Sequence, residues 1–168
     1  MAVKEAMSKK PKKSDQPGTK YSPTIYNKKA RFNFHLLEKL EAGIALLGTE
    51  VKSLRQGRAS LEEAYCRLRG GELYLVGCNI GLYEHGNMLN HEPLRARKLL
   101  VHGRELKRIE VKMSQKGLTI VPIRIYFSEG WAKVEIALAE GKTHGDKRDK
   151  IRDRQVTREI DREMKRRR

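Results

Sequence analysis

Lys52 and Arg55 lie three residues apart within residues 41–57 (EAGIALLGTEVKSLRQG), and Val51 and Leu54 share that spacing. On a short helix each pair occupies one face, giving an apolar side and a side with two outward cations. Paired cations can neutralise phosphates. The other reading is an amphipathic turn whose charges are merely solvated. Gly48 permits a tight turn into this helix, Thr49 suits its N-cap and Gly57 its stop.

Other chemistry-bearing groups are sparse. Gly141-Lys142-Thr143 follows a strand-like stretch and resembles the end of a phosphate-binding loop. That motif needs a glycine five residues before Gly141, and Ile136 stands there. Nucleotide hydrolysis is therefore not expected. His85 and His91 have no accompanying ligand cluster, so no metal is assigned. Cys66 and Cys78 lack Cys-x-x-Cys spacing and read as buried or half-buried thiols in a reducing compartment. With no nucleophile elbow and no zinc signature, neither a catalytic residue nor a cofactor is assigned.

The 168 residues carry a formal net charge of +16. Residues 1–31 contribute +7 (9 basic, 2 acidic), residues 32–145 contribute +4 (17 and 13) and residues 146–168 contribute +5 (11 and 6). Two cationic arms around a milder body point to a polyanion: RNA, DNA or an anionic membrane. The membrane is the weaker candidate. No apolar run approaches the ~20 residues of a spanning helix, and residues 1–20 lack the apolar region of a secretory signal.

These groups must be positioned by a single body. Residues 1–26 have no hydrophobic period and read as a disordered basic arm, either a phosphate attractor or a solubilising tail. Residues 27–140 read as the body and residues 141–168 as a basic tail. Phe32 to Leu36 alternates as a strand does, while Leu37, Leu40 and Ile44 fit a helical period, so a long strand interrupted near residues 38–41 is expected. Residues 64–68 and 72–76 alternate around Gly70-Gly71, a hairpin signal. Residues 81–92 form a loop. Pro93 opens an expected helix through Val101, with Glu92 at its cap and Arg95, Arg97 and Lys98 beside Leu94, Leu99 and Leu100. Residues 104–115 predict a second helix with Leu106, Ile109 and Met113 on one face. Residues 118–127 predict a strand in which Pro122 marks an edge or bulge. After the turn at Ser128-Glu129-Gly130, Ala132, Val134, Ile136 and Leu138 alternate against Lys133 and Glu135. The sum is a mainly β chain: an oligonucleotide-binding-like (OB-like) antiparallel barrel with two to three short flanking helices and a basic C-terminal tail. The tail lacks a strong apolar stripe. Pairs such as Asp161–Lys165 support a helix by only ~0.2–0.5 kcal/mol each, so it is expected to be disordered alone and helical against an anionic surface.

Several motifs occur in an order that resembles the SsrA-binding protein (SmpB) family. They are Asn27-Lys28-Lys29-Ala30-Arg31, Glu41-Ala42-Gly43-Ile44, Gly48-Thr49-Glu50-Val51-Lys52-Ser53-Leu54-Arg55, Pro93-x-Arg95-x-Arg97-Lys98-Leu99-Leu100-Val101-His102, Gly117-Leu118-Thr119-Ile120-Val121-Pro122 and Asp146-Lys147-Arg148. The resemblance covers about residues 25–160. It implies an RNA-binding adaptor, not an enzyme, that carries transfer-messenger RNA (tmRNA) to ribosomes stalled on broken messages. The implied partners are the tRNA-like domain of tmRNA, the stalled 70S ribosome with its 16S RNA, and elongation factor Tu indirectly through tmRNA. No membrane is implied, and the setting is cytoplasmic. The tail would enter the empty messenger channel near the decoding centre and become helical there.

The resemblance also maps RNA-binding positions onto Glu41, Leu100 and His102. Lys28, Lys29, Arg31, Lys52, Arg55, Arg95, Arg97 and Lys98 join them as cations that neutralise phosphates. A carboxylate cannot do that, so Glu41 either accepts a base or sugar donor or orients a neighbouring cation. Leu100 either packs on a base or belongs to the core, and His102 can stack or hydrogen-bond. In the tail, Lys142, His144, Asp146, Lys147 and Arg148 are the ribosome-binding candidates. Two departures stand out. Thr143 replaces a usual lysine and Gly145 a usual ring, with His144 one place earlier; Glu92 replaces a usual aspartate. A general single-strand nucleic-acid binder is the competing reading, against which stands an aromatic content of only 6%.

Overall fold

Two hairpins set the frame. Arg69 pairs with Glu72 across Gly70-Gly71, and Ser128 pairs with Trp131 across Glu129-Gly130. Both central residues of each turn have positive φ (59° and 71°, then 52° and 83°), the sense that matches the right-handed twist of the flanking strands. The computed structural model describes residues 23–114 and 117–166. Its strands are β1 (Ile25–Tyr26), β2 (Phe34–Ile44), β3 (Ala59–Ser60), β4 (Tyr65–Arg69), β5 (Glu72–Val76), β6 (Asn79–Ile80), β7 (Arg97–Leu100), β8 (Leu118–Ser128) and β9 (Trp131–Gly141). Its helices are α1 (Ala30–Asn33), α2 (Gly48–Arg55), α3 (Gly103–Met113) and α4 (His144–Arg166).

The seven-stranded sheet runs β1-β8-β4-β5-β7-β2-β9, and β8 also pairs with β9, closing the sheet into a ring. β3 and β6 form a separate pair. The result is the expected mainly β antiparallel barrel. Leu54, Leu61, Leu73, Leu75, Ile80, Ile125, Val134 and Ile136 are fully buried inside it, each worth about 1.5–3 kcal/mol of transfer free energy. On α3, Ile109 is buried while Leu106 and Met113 pack on the same core, the face that the spacing predicts. Both cysteines are free and buried. The N-terminal arm falls largely outside the described residues, but Ile25 and Tyr26 already pair with Ile125 and Arg124, so ordered structure begins before residue 27.

Four local expectations are corrected. Residues 93–101 are not a helix; β7 occupies their second half. There Arg97 and Leu99 point inward while Lys98 and Leu100 point outward. The alternation escapes a polarity pattern because its inward member is an arginine and its outward member a leucine. β2 runs unbroken from Phe34 to Ile44, and its one irregularity is a register shift between Leu36 and Glu38 that leaves Leu37 exposed. Phe32 belongs to α1, not to a strand. Finally, α2 starts after Leu47 rather than after Thr49. The Glu50 carboxylate accepts from the Leu47 backbone N–H at 2.7 Å, the reach-back arm of a capping box. The expected bulge near Pro122 is present between Pro122 and Arg124.

Thr49 has another task. The His91 ring is buried, with Nε2 3.1 Å from the Ile80 carbonyl and Nδ1 3.0 Å from Thr49 Oγ1. A carbonyl only accepts, so Nε2 carries the proton and, in the neutral ring, Nδ1 accepts from the Thr49 hydroxyl. Loop 81–92 is thereby pegged to α2.

Glu50 and Arg97 are both fully buried. Glu50 accepts from Arg97 Nε at 2.8 Å and from Arg95 Nε at 2.8 Å. Arg97 also donates to the carbonyls of Cys78 (2.6 Å), Pro93 (2.9 Å) and Arg95 (3.1 Å). The pair thus ties α2 to β7 and to the turn before β6. Burial alone would raise the Glu50 pKa, but the bonds from Arg95, the Leu47 amide and Arg97 outweigh it and hold the carboxyl below its ordinary value of 4.5.

Removing one partner of a buried pair strands the other charge, so Glu50→Gln should cost about 3–5 kcal/mol, read as a lowered denaturant midpoint with unchanged slope. The pH dependence has a definite sign. The folded-state pKa is lowered, so Glu50's contribution is complete above the unfolded value and is lost as pH falls below 4.5 through the folded value. Equilibrium unfolding across that window should show a shallower acid loss in Glu50→Gln than in the unaltered chain.

Candidate nucleic-acid interface

The cations of the Asn27-Lys28-Lys29-Ala30-Arg31 motif are set by the buried asparagine that precedes them. Asn27 Oδ1 accepts from the backbone N–H groups of Lys29 (3.1 Å) and Ala30 (3.0 Å), and Nδ2 donates to the Pro122 carbonyl (3.1 Å). This staples α1 to β8 and leaves Lys28, Lys29 and Arg31 on the surface. Lys29 pairs with Glu62 (2.9 Å) and Glu63 (3.2 Å), which raise its pKa, Glu62 foremost.

β2, β9 and β8 lie side by side, and their outward residues form two polar rows. In one, Glu41 accepts from Lys133 Nζ at 2.6 Å and from the Tyr126 hydroxyl. In the other, Glu135 pairs with Lys39 at 3.4 Å and with Arg124. Glu41 is thus paired with a neighbouring cation, Lys133. The Lys133 and Tyr126 bonds, in that order, hold the Glu41 carboxyl below its usual range. Tyr126 is pushed up to about 12, by desolvation first and then by Glu41.

Three hollows open beside these rows. The first, of about 560 Å³, brings together Glu41, Lys98, Leu100, His102 and Lys133. Lys98 is paired with Glu72 at its rim. Gly43 stands opposite Leu100, and a Cβ on Gly43 would lie 3.3 Å from the Leu100 Cβ, so glycine lets the leucine lie across β2. Leu100 is 56% exposed, which excludes core packing as its task. His102 is exposed at the start of α3. The second hollow shares Gly43, Leu100 and Lys133 and adds Leu46, Phe127 and Trp131. Trp131, at the β8–β9 turn, is 76% exposed. Arg55 lies 5.6 Å over the Phe127 ring beside it, and Lys52 lies 5.0 Å over Tyr83. The third hollow holds Lys28 and Arg31 with Lys39 and Arg124.

Two expected members stand apart. Arg97 is fully buried and bound to Glu50 and three carbonyls, so it positions the surface without lying on it. Arg95 is half-buried, with one guanidinium edge committed to Glu50. Lys133, Tyr126, Trp131, Lys39 and Arg124 were not singled out from the sequence. The alternation of β9 marks Lys133 as outward, but only the pairing of Gly43 with Lys133 brings it to Glu41.

In the tail, Lys142 is held at its base, its N–H donating to the Asn33 carbonyl (2.9 Å) and its Nζ to the Arg31 carbonyl (3.2 Å). Asp146 faces Thr143 and His35, and Arg148 is exposed. The side chains of His144 and Lys147 lie outside the described residues. Among the described residues no group of three or more His, Cys, Asp or Glu could hold a metal ion, and no helix is long and apolar enough to cross a membrane.

The family described as SmpB protein matches residues 24–166. The SsrA-binding protein of Syntrophobacter fumaroxidans is 54% identical over 142 residues, 84% of this chain and 88% of that protein. That of Anaeromyxobacter sp. is 51% identical over 142 residues, 84% of this chain and 86% of that protein. A solved chain described by the words "tmRNA-SmpB: a journey to the center of the bacterial ribosome" has a TM-score of 0.63 and 47% identity, covering 78% of this chain and 96% of that one. The closed antiparallel barrel, the ordered motifs and these matches together establish that the chain belongs to the SmpB family.

Proposed function

We propose that this protein is an RNA-binding adaptor of trans-translation. It binds the tRNA-like domain of tmRNA through the outer barrel face, delivers that RNA to stalled 70S ribosomes and meets elongation factor Tu only through the RNA. It acts in the cytoplasm by binding alone. The tail extends into the empty messenger channel near the decoding centre, beside 16S RNA, and folds fully only there.

The observation that carries this reading is the convergence of Lys98, Lys133, Leu100, His102 and Trp131 around two adjoining hollows. Lysines that neutralise phosphates release counterions, and an exposed tryptophan beside exposed leucine offers a face for an unstacked base. Lys28, Arg31, Lys39 and Arg124 provide a second cationic hollow on the same wall.

Binding to tmRNA and to an ordinary tRNA across a salt series tests the reading. A clear margin for tmRNA at physiological salt is expected. Equal, steeply salt-dependent affinity for both would reduce the protein to a general nucleic-acid binder. In the same titrations Lys98→Ala with Lys133→Ala should lower the slope of log K against log salt by roughly 1.5–2. Trp131→Ala should weaken binding by ~1–3 kcal/mol with little change in slope.

Removing residues 146–168 separates binding from delivery. Affinity for tmRNA should largely survive, while tagging on stalled ribosomes in a reconstituted translation system should be lost. Loss of affinity for every RNA alike would instead make the tail a general phosphate attractor.

A further inference from the structure

The junction between barrel and tail is built as a helix start. α4 begins at His144, which makes Thr143 the N-cap and Asp146 the third helical residue. The Thr143 N–H donates to Asp146 Oδ2 at 3.0 Å, and the Asp146 N–H approaches Thr143 Oγ1 at 3.4 Å. These are the two arms of a capping box. The Thr143 hydroxyl also donates to Asp146 Oδ2 at 2.8 Å.

A second contact ties this start to the barrel. His35 Nε2, on β2, lies 3.5 Å from the same Asp146 oxygen. One residue before the cap, Lys142 is fixed by its backbone N–H on Asn33 and its Nζ on Arg31. The start of α4 is therefore located from two barrel elements, α1 and β2. A lysine at position 143, the residue from which this chain departs, has no acceptor and could not complete the box. Further along, among the described side chains, Arg152, Gln155, Val156, Arg158, Arg162 and Met164 are exposed, so these positions add no burial to helix propensity.

We propose that Asp146 is a positioning residue. With Thr143 and His35 it fixes where and in which direction α4 leaves the barrel, so the first turns are formed before any partner is met and only the later turns await one. The consequence for tail placement rests on the adaptor reading above; the structural claim does not.

Backbone Cα chemical shifts and amide exchange of the isotopically labelled full chain, free of RNA, test the claim at residues 144–150. Thr143→Ala and Asp146→Ala should each lower the helical population of those residues about fivefold, while Thr143→Ser should keep it. Tagging of stalled ribosomes should fall with Thr143→Ala and recover with Thr143→Ser. Equal helical shifts in all four proteins would overturn the proposal. So would a loss of tagging in Asp146→Ala with helical shifts intact, which would make Asp146 a direct ribosome contact. Failure of the adaptor reading has a different signature: the unaltered chain would show no preference for tmRNA.

Discussion

A carboxylate inside a β-barrel has to be saturated, and the barrel is arranged around that requirement. Glu50 accepts from Leu47, Arg95 and Arg97, and Arg97 in turn fills three carbonyls, one just before β6 and two in the stretch leading into β7. An apolar pair of equal volume would fill the same space at no electrostatic risk. It would not set angles, because dispersion and the hydrophobic effect are non-directional. The bonds of Glu50 and Arg97 are directional, and they fix α2, with Lys52 and Arg55, against β7, with Lys98 and Leu100. The relative placement of the outward groups is thus decided by two residues that never reach solvent.

Legibility in the sequence follows from this. Hairpins with glycine turns and strands with ordinary alternation were readable: β4–β5, β8–β9 and the apolar face of α3 lie where composition and period put them. β7 was not readable, because the residue buried in it is Arg97 and the residue exposed in it is Leu100. Polarity patterns assume that charge faces water, and here a buried counter-ion 47 residues away in sequence reverses the assignment. The same applies to Thr49. Its type suits a cap, but a histidine on a distant loop claims its hydroxyl. The site was legible in part for a related reason. Glu41, Leu100 and His102 came from resemblance, whereas Lys133 and Tyr126 reach Glu41 only through strand register, which no local spacing reveals.

The outer wall contains a further constraint. Glu41 and Glu135 stand directly opposite each other on β2 and β9, a like-charge pairing that destabilises a sheet. Each is offset by its own cations, Lys133 for one and Lys39 with Arg124 for the other. The carboxylates therefore split the positive charge of this wall into two groups rather than leaving one uniform field. Ion pairs at the surface are worth ~0–1 kcal/mol, so a phosphate can take over a lysine at little cost, while the carboxylate keeps that lysine from wandering beforehand.

A split field has a consequence for recognition. A uniform basic groove attracts any polyanion in proportion to its charge density, and salt screens the attraction evenly. On the proposed reading, two cationic groups at fixed separation, with Leu100 and Trp131 exposed beside one of them, would favour a nucleic acid that offers phosphates at matching separation and an unstacked base at one end. Shape, rather than sequence or net charge, would then carry the discrimination. The net charge of +16 would set how fast such a partner arrives. The angle that Glu50 and Arg97 impose on β7 and α2 would decide whether it fits.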